Sequence, residues 1–188
     1  MNSSEIQKTL KPYFPTLEEE SLNAFLKHGS YFKASKGTKL IVEGKRHLYC
    51  YFILKGGVKS YYSADSKEAC MWFSFKKEAI GTISTYQGFP SKETVELLED
   101  SELIRFEIEK LKTLSRRDLS ISNLLTDLVI GHALTIEQHL YQIQFMSGED
   151  RYKALIETTP ELLQKVSLTD IASYLGISRE SLLSLIHI

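Results

Sequence analysis

Three zones of the chain differ in the spacing of their hydrophobic and polar positions. Residues 2–28 and 109–146 carry apolar side chains at helical spacings, and the second of these segments predicts one long helix. Residues 30–106 instead break into short runs rich in Tyr, Phe, Ile and Val, separated by Gly, Lys-Gly and Asp-Ser, as is typical of strands in a sandwich or barrel. Residues 149–188 return to helical spacing. This order predicts a β-rich domain flanked by helices.

Two adjacent glycines, Gly56 and Gly57, separate the aromatic-rich runs YCYFILK and VKSYY. Glycine adopts the positive φ angles that tight turns need at no steric cost. The pair therefore predicts a β-hairpin between the two runs.

The long helical segment carries an apolar seam of the coiled-coil type. Its members alternate at spacings of four and three: Val129, Ala133, Ile136, Leu140 and Ile143. A second stripe, through Leu124, Leu125 and Leu128, is placed to face the β-domain. Because a helix that is apolar on two faces needs a second partner, the seam predicts a homodimer interface.

The most specific pattern lies between residues 168 and 185. Apolar or small residues occupy the framework positions of a helix-turn-helix, with Ala172 where the helices cross and Gly176 in the turn. Side chains in the first turn of the second helix of such a motif meet base edges in the major groove, and the residue types present suit guanine, cytosine or phosphate. The candidate DNA-binding residues are Thr169, Ser178, Arg179, Glu180, Ser181 and Ser184. A purely structural helix pair with a glycine turn would match part of the same pattern.

Composition narrows the class of protein. The 188 residues are 43% hydrophobic and 25% charged, which is ordinary for a globular protein and excludes wholesale disorder. The net charge of -1 argues against indiscriminate coating of nucleic acid or membrane. No run approaches the roughly 18 consecutive apolar residues of a transmembrane helix, and no apolar signal core opens the chain. A cytoplasmic protein with no membrane partner is expected.

The chain offers few residues for metal or catalytic chemistry. Cys50 and Cys70 are too few for an iron–sulfur cluster and too far apart for a zinc knuckle, so free thiols are expected. His132 and His139 are seven residues apart on the long helix, where a place at an interface or in solvent is favoured over metal or haem ligation. His47 is the only histidine of the β-zone, and no nucleophile elbow, Cys–His couple or phosphate-binding loop occurs. Neither a metal site nor an enzyme is predicted.

The chain resembles the family of the cyclic-AMP receptor protein and the fumarate-nitrate regulator, the Crp/Fnr transcription factors. The resemblance spans essentially all residues and rests on KGTKLIVEG, YFILKGGVKSYY, ETVELLEDSELIRF, the long helix and SLTDIASYLGISRESL; the C-terminal part looks like that of Bacteroidetes-type members. It implies an α+β protein with a cyclic-nucleotide-binding-like jelly-roll barrel in 1–110, a dimerisation helix in 111–146 and a winged-helix DNA-binding domain in 147–188. It also implies a homodimer on double-stranded DNA, RNA polymerase as a further partner, and a small effector in the barrel.

The segment that binds the effector in such proteins departs from the family pattern. Cyclic-nucleotide binders of the family carry a Gly-Glu pair and an arginine followed by a small hydroxyl residue, which clamp ribose and phosphate. The corresponding stretch has Gly81 followed by Thr82, and Ser91 with Lys92 where the arginine is expected. Cyclic AMP is therefore not expected as the ligand, no cofactor is assigned, and the effector is unidentified. The candidate effector-binding residues are Gly81, Thr82, Ser91, Lys92 and Thr94.

The C-terminal unit also departs from the family pattern. Residues 147–188 contain six acidic and four basic side chains, a poor electrostatic footprint for a DNA reader. Ser184 stands where a second arginine is expected, and the segment LSLIHI, which contains it, stands in place of a wing hairpin. Either the end of this sequence is truncated or altered, which we favour, or DNA binding is weak. The alternative function is a small-molecule sensor or protein-interaction module of the same fold without effective DNA binding.

Overall fold

The β-zone folds into two antiparallel sheets. The computed structural model describes residues 3–64, 67–160 and 162–186. The strands are β1 Gly29–Ala34, β2 Lys39–Ile41, β3 Tyr49–Lys55, β4 Gly57–Ala64, β5 Lys67–Phe75, β6 Ala79–Ile80, β7 Thr94–Leu97 and β8 Ser101–Glu107. One four-stranded sheet has the order β1-β8-β3-β6 and the other the order β2-β7-β4-β5. The two sheets form the predicted barrel.

The space between the sheets is filled by side chains from alternate strand positions. Ile53, Val58, Val95 and Leu103 are each 0% exposed and belong to one buried cluster. Burying a side chain of this kind contributes about 1.5–3 kcal/mol, so this inner layer holds the barrel together.

The hairpin predicted at the two glycines is wrong. β3 and β4 belong to different sheets, and Gly56, with φ of 109°, carries the chain from one sheet to the other. A Cβ at Gly56 would clash with Ser101, so the position needs glycine for space as well as for φ. A turn that changes sheets and a hairpin turn use the same residue types, and the local pattern therefore did not distinguish them.

Helices precede and follow the barrel in the sequence, and one short helix lies between β6 and β7. They are α1 Ser3–Leu10, α2 Glu19–Leu26, α3 Ile83–Gln87, α4 Ile108–Ser115, α5 Leu119–Phe145, α6 Gly148–Thr158, α7 Leu162–Lys165, α8 Leu168–Leu175 and α9 Arg179–Ile186. Leu10, Leu22, Ile104 and Ile121 share a second buried cluster, which joins the N-terminal helices, the first sheet and the start of α5.

The single long helix predicted over 109–146 is two helices. The Asp118 carboxylate accepts hydrogen bonds from the backbone N–H groups of Ser120 (3.0 Å) and Ile121 (3.2 Å), and so begins α5 with an N-cap. Apolar spacing continues across the break, and for that reason periodicity alone did not reveal it. The remaining 27 residues of α5 carry the whole predicted seam.

Two of the C-terminal helices begin at an N-cap serine. The hydroxyls of Ser147 and Ser167 each accept a hydrogen bond from the N–H of the aspartate three residues later, at 3.1 Å. A third buried cluster joins these helices to Phe75 and Leu98 of the barrel region. The predicted α+β class, with barrel, long helix and C-terminal helical unit, is confirmed.

Candidate functional sites: a helix pair and a barrel cavity

Helices α8 and α9 form the helix-turn-helix that the framework positions predicted. Gly176 has φ of 64° and ends α8 in the left-handed region. Ile171, Ala172, Leu175 and Leu182 are 0–3% exposed and hold the two helices together. Eighteen residues of sequence were enough for this prediction because the residues that hold the two helices against each other all lie within them.

The first turn of α9 presents polar side chains outward. The Ser178 hydroxyl accepts a hydrogen bond from the Ser181 N–H at 3.0 Å and so caps the helix. Arg179, Glu180 and Ser181 are exposed. The remaining candidates, Thr169 and Ser184, are exposed as well. The structure thus displays all the candidate DNA-binding residues, and their role in DNA binding stays a prediction.

The helix pair is docked on the barrel through α8 and strand β5. Lys59 Nζ and an Asp170 carboxylate oxygen are 2.9 Å apart, and the Cys70 N–H donates to the Ser173 hydroxyl at 3.0 Å. Phe73 meets the ring of Tyr174 edge-on, with centroids 5.3 Å apart. This contact joins the barrel directly to the C-terminal helices, and the sequence contained no signal for it.

Burial and charge act in opposite directions on the ammonium group at this contact. Burial lowers the pKa of Lys59, but the hydrogen bond and charge of Asp170, with the charges of Glu96 and Glu68, raise it further than burial lowers it. Lys59 therefore stays positively charged, and the pair with Asp170 is ionic.

A cavity of about 490 Å³ lies between the barrel and α5. Strand β5, the segment 77–83 and helix α5 all contribute to its wall, and Trp72, Ile80, Leu111 and Leu125 are among its buried apolar lining residues. Its size falls within the range of ligand pockets, about 300–1,000 Å³.

The predicted effector-binding residues divide into two groups. Gly81 and Thr82 line the cavity. Ser91 and Thr94 have structural contacts elsewhere: the Ser91 hydroxyl donates to the Glu93 carbonyl at 2.8 Å, and the Thr94 hydroxyl accepts from the Glu43 N–H at 3.2 Å. Lys92 is exposed. The structure therefore brings only the first two to the cavity, and effector binding by any of the five stays a prediction.

The carboxylate of Glu93 is buried beside the cavity, and the sequence pattern did not predict it. Glu93 is 7% exposed, and its carboxylate accepts hydrogen bonds from the indole N–H of Trp72 (2.8 Å) and from the Ser60 hydroxyl. Ser60 and Trp72 are cross-strand partners in β4 and β5. Alternation along the strands was the signal that could have placed Ser60 and Trp72 on one face of the sheet. Their contact with Glu93 could not be predicted without knowing the order of the strands.

His132 reaches the same place from α5. Its ring meets the ring of Trp72 edge-on, with centroids 5.9 Å apart, and it lines the cavity. Burial lowers the pKa of His132, and the nearby charge of Glu93 opposes that shift without cancelling it. His132 is thus a neutral hydrogen-bonding group at neutral pH rather than the solvent-facing residue the sequence left open.

The predicted seam of α5 is uncovered in the single chain. Its four large side chains are 36–54% exposed, namely Val129, Ile136, Leu140 and Ile143. Ala133 is exposed as well. Ile130 and Leu134 of the same helix are also exposed, by 52% and 57%. A contiguous apolar surface of this kind marks an interaction site.

By length and composition alone, α5 is long and apolar enough to cross a membrane. The mean hydropathy of its 18-residue window is 1.4, and 11% of the residues in that window are buried. Asp127 and His132 interrupt the apolar run, so α5 contains no stretch of about 18 consecutive apolar residues. One such helix is weak evidence for a membrane, since a helix that packs against a partner chain has the same composition.

Metal ligands do not cluster in the described residues: no group of three or more His, Cys, Asp or Glu side chains is arranged to hold an ion. Cys50 and Cys70 are free thiols, and burial raises the pKa of each to about 12. Both thiols are therefore protonated at neutral pH and poor nucleophiles.

The barrel corresponds to a known domain family. Residues 31–118 match the family model of the cyclic nucleotide-binding domain. No curated protein matches the chain by sequence.

Solved structures match nearly the whole chain in fold. FixK2 from Bradyrhizobium japonicum has a TM-score of 0.76 at 20% identity, with 85% of this chain and 83% of that chain covered. The Catabolite Activator Protein of Thermus thermophilus has a TM-score of 0.60 at 20% identity, covering 94% and 85%. The c-di-GMP responsive global regulator CLP of Xanthomonas campestris has a TM-score of 0.68 at 17% identity, covering 90% of both chains.

The chain thus consists of a barrel joined by a long helix to a helix-turn-helix. Residues 31–118 match the cyclic nucleotide-binding domain, and the chain as a whole has the fold of the Crp/Fnr regulators. The family resemblance drawn from the sequence is confirmed at this level.

Proposed function

We propose that this protein is a homodimeric, cytoplasmic transcriptional regulator that reads a palindromic DNA site and is controlled by a small effector in the barrel cavity. The observation that carries the proposal is the exposed first turn of α9. Arg179, Glu180 and Ser181 project from a helix whose opposite face is fixed by the fully buried Leu182. A rigid helix that presents polar side chains from its first turn is the arrangement with which helix-turn-helix proteins read base edges.

The uncovered seam of α5 supports the dimer. Two copies of α5 that pack through residues 129–143 would bury the exposed apolar face and relate the two α9 helices by a twofold axis. Recognition helices arranged in this way meet successive major grooves, about 34–36 Å apart.

Strand β5 supports a connection between the cavity and the helix pair. Trp72 and Phe73 line the cavity, and Phe73 also touches Tyr174 of α8. A ligand that displaces this strand would therefore change the contact on which α8 rests, and the position of α9 with it.

Selection of bound fragments from genomic DNA tests the proposal. We expect enrichment of a palindrome whose half-sites are one helical turn apart. Recovery of fragments without a shared palindromic site would contradict sequence-specific regulation by this chain.

A second function, a sensor module without effective DNA binding, is favoured by the charges of the helical unit. Of its four basic side chains, Lys165 pairs with Glu99 (3.0 Å), Lys153 pairs with Glu149 (2.6 Å), and Arg151 donates to the backbone carbonyl of Met146 at 2.6 Å. These contacts leave Arg179 as the basic side chain in the DNA-facing turn. The salt dependence of binding to random DNA separates the two functions, because phosphate contacts give a steep slope and their absence a flat one.

A further inference from the structure

The wall of the cavity is mostly apolar and aromatic. Buried side chains from the barrel, α4 and α5 converge on it: Trp72, Ile80, Ile108, Leu111 and Leu125. Its volume of about 490 Å³ is sufficient for a ring-bearing molecule.

The charges around the cavity disfavour an anion. Glu78 and Asp127 line it, and the Glu93 carboxylate lies behind Trp72. Lys77 is the cationic residue in the described wall, but its Nζ lies 5.5 Å from the centroid of the Tyr13 ring, which does not line the cavity. An anion that entered would therefore leave water without gaining a charge-assisted hydrogen bond.

The backbone beside the cavity does not offer an anion site either. The Thr82 hydroxyl already accepts a hydrogen bond from the Thr85 N–H at 3.0 Å, and α3, which begins there, has only five residues. The carboxylate of Glu78 is likewise engaged, because it accepts from the Ser74 hydroxyl (2.6 Å) and the Phe75 N–H (3.0 Å). The Thr82 hydroxyl and the Glu78 carboxylate are thus already hydrogen-bonded within the protein.

We infer that the cavity binds an uncharged, ring-bearing ligand with one or two hydrogen-bonding groups, and that it discriminates against anions such as cyclic nucleotides. The inference rests on the proposed function in taking this cavity as the effector site. The imidazole of His132 supplies the hydrogen-bonding group, and the Trp72 ring, which it meets edge-on, supplies aromatic contact.

Intrinsic fluorescence tests the inference directly, because Trp72 is the only tryptophan and lines the cavity. The probes are 4-tert-butylbenzyl alcohol, which is uncharged, 4-tert-butylbenzoate, which has the same ring and is an anion at pH 7.5, and cyclic AMP. We expect a saturable change of Trp72 emission with the alcohol, at a Kd about tenfold or more below that of the benzoate, because an unpaired anion pays for its desolvation. Cyclic AMP should leave the emission unchanged.

A charge change on α5 supplies the matched variants. Asp127→Lys places a cation at the cavity wall, whereas Glu137→Lys makes the same change on the same helix away from the cavity lining. Asp127→Lys should reduce the preference for the alcohol over the benzoate by roughly fivefold or more, and Glu137→Lys should leave it within about twofold. Both positions are exposed, so both variants are expected to fold.

Three results would overturn the inference: benzoate or cyclic AMP binding as tightly as the alcohol, no saturable response to the alcohol, or an equal effect of the two lysine variants. DNA binding by the same preparation without added probe is measured separately. Intact palindrome binding with the wrong probe preference refutes the inference alone, whereas the expected probe preference without DNA binding refutes the proposed function alone.

Discussion

The imidazole ring of His139 stacks on the phenol ring of Tyr174, with centroids 4.2 Å apart and 12° between the ring planes. His139 belongs to α5 and Tyr174 to α8, so this stack joins the long helix to the helix-turn-helix. Tyr174 also touches Phe73 of β5. Tyr174 therefore contacts both the seam helix α5 and the cavity strand β5. A displacement of either element would alter a contact of the helix pair.

Protonation of His139 should weaken this junction. Burial and the nearby Arg151 charge lower the pKa of His139, and its Nδ1 is buried with no hydrogen-bond partner among the described residues. The unfolded chain keeps the ordinary pKa of about 6.5, so as the pH falls below that value the unfolded state takes up the proton first. The free energy of unfolding is therefore expected to fall as the pH drops from about 6.5.

Urea denaturation between pH 7.5 and 5.0 measures this effect. His139→Phe keeps an aromatic ring on Tyr174 but takes up no proton, and it should flatten the pH dependence of the free energy of unfolding. His132→Phe should flatten it as well, since burial also lowers the pKa of His132. A His139→Phe profile parallel to that of the unmodified protein would show that His139 is not the group responsible.

The ion pair between Lys59 and Asp170 should stabilise the docked position of the helix pair. The two side chains are only 14% and 19% exposed, so water screens the pair less than at an open surface. We expect Lys59→Met to lower the free energy of unfolding by about 1 kcal/mol and to make residues 147–186 more sensitive to protease.

Lys153→Met is the matched control, because it removes a solvent-exposed pair with Glu149 within α6, where the loss of stability should be smaller. Equal losses in the two variants would mean that the contact between barrel and α8 contributes nothing beyond an ordinary surface pair.

Replacement of Ile136 by aspartate should give a monomer. Ile136 is 43% exposed in the single chain and lies at the centre of the predicted seam. A carboxylate placed there would lose water on association without gaining a partner, at a cost of several kcal/mol. Sedimentation velocity is the measurement, and Gln138→Asp, on another face of α5, is the control. A dimer that survives Ile136→Asp would place the interface elsewhere.

Loss of the Arg179 guanidinium should weaken DNA binding. If Arg179 contacts a guanine, Arg179→Ala should cost about 1–3 kcal/mol on the selected site and relax the preference at one base position. If it contacts phosphate, the loss should be uniform over sequences and the salt slope should fall by about one. Fluorescence anisotropy on selected and scrambled duplexes distinguishes the two. Unchanged affinity for both duplexes would remove α9 from the DNA-binding surface.

Local patterns predicted the features whose residues are close in the sequence. The helix-turn-helix depends on framework positions within 18 residues, with Gly176 supplying the turn and Ala172 the close crossing. The seam of α5 depends on one helix and its repeat. Gly81 and Thr82, two of the five candidate effector-binding residues, line the cavity, and their role in effector binding stays a prediction.

The remaining features depend on contacts between residues that are far apart in the sequence. The sequence alone determined an α+β protein with a barrel, an amphipathic long helix and a helix pair with an outward polar turn, since each follows from spacing along one segment. Only the tertiary structure showed that Glu93 meets Ser60 and Trp72, that Gly56 changes sheets, and that α8 docks on β5. Each of these contacts depends on which strands and helices become neighbours, and that choice is made by the packing of the whole core rather than by any single run of residues.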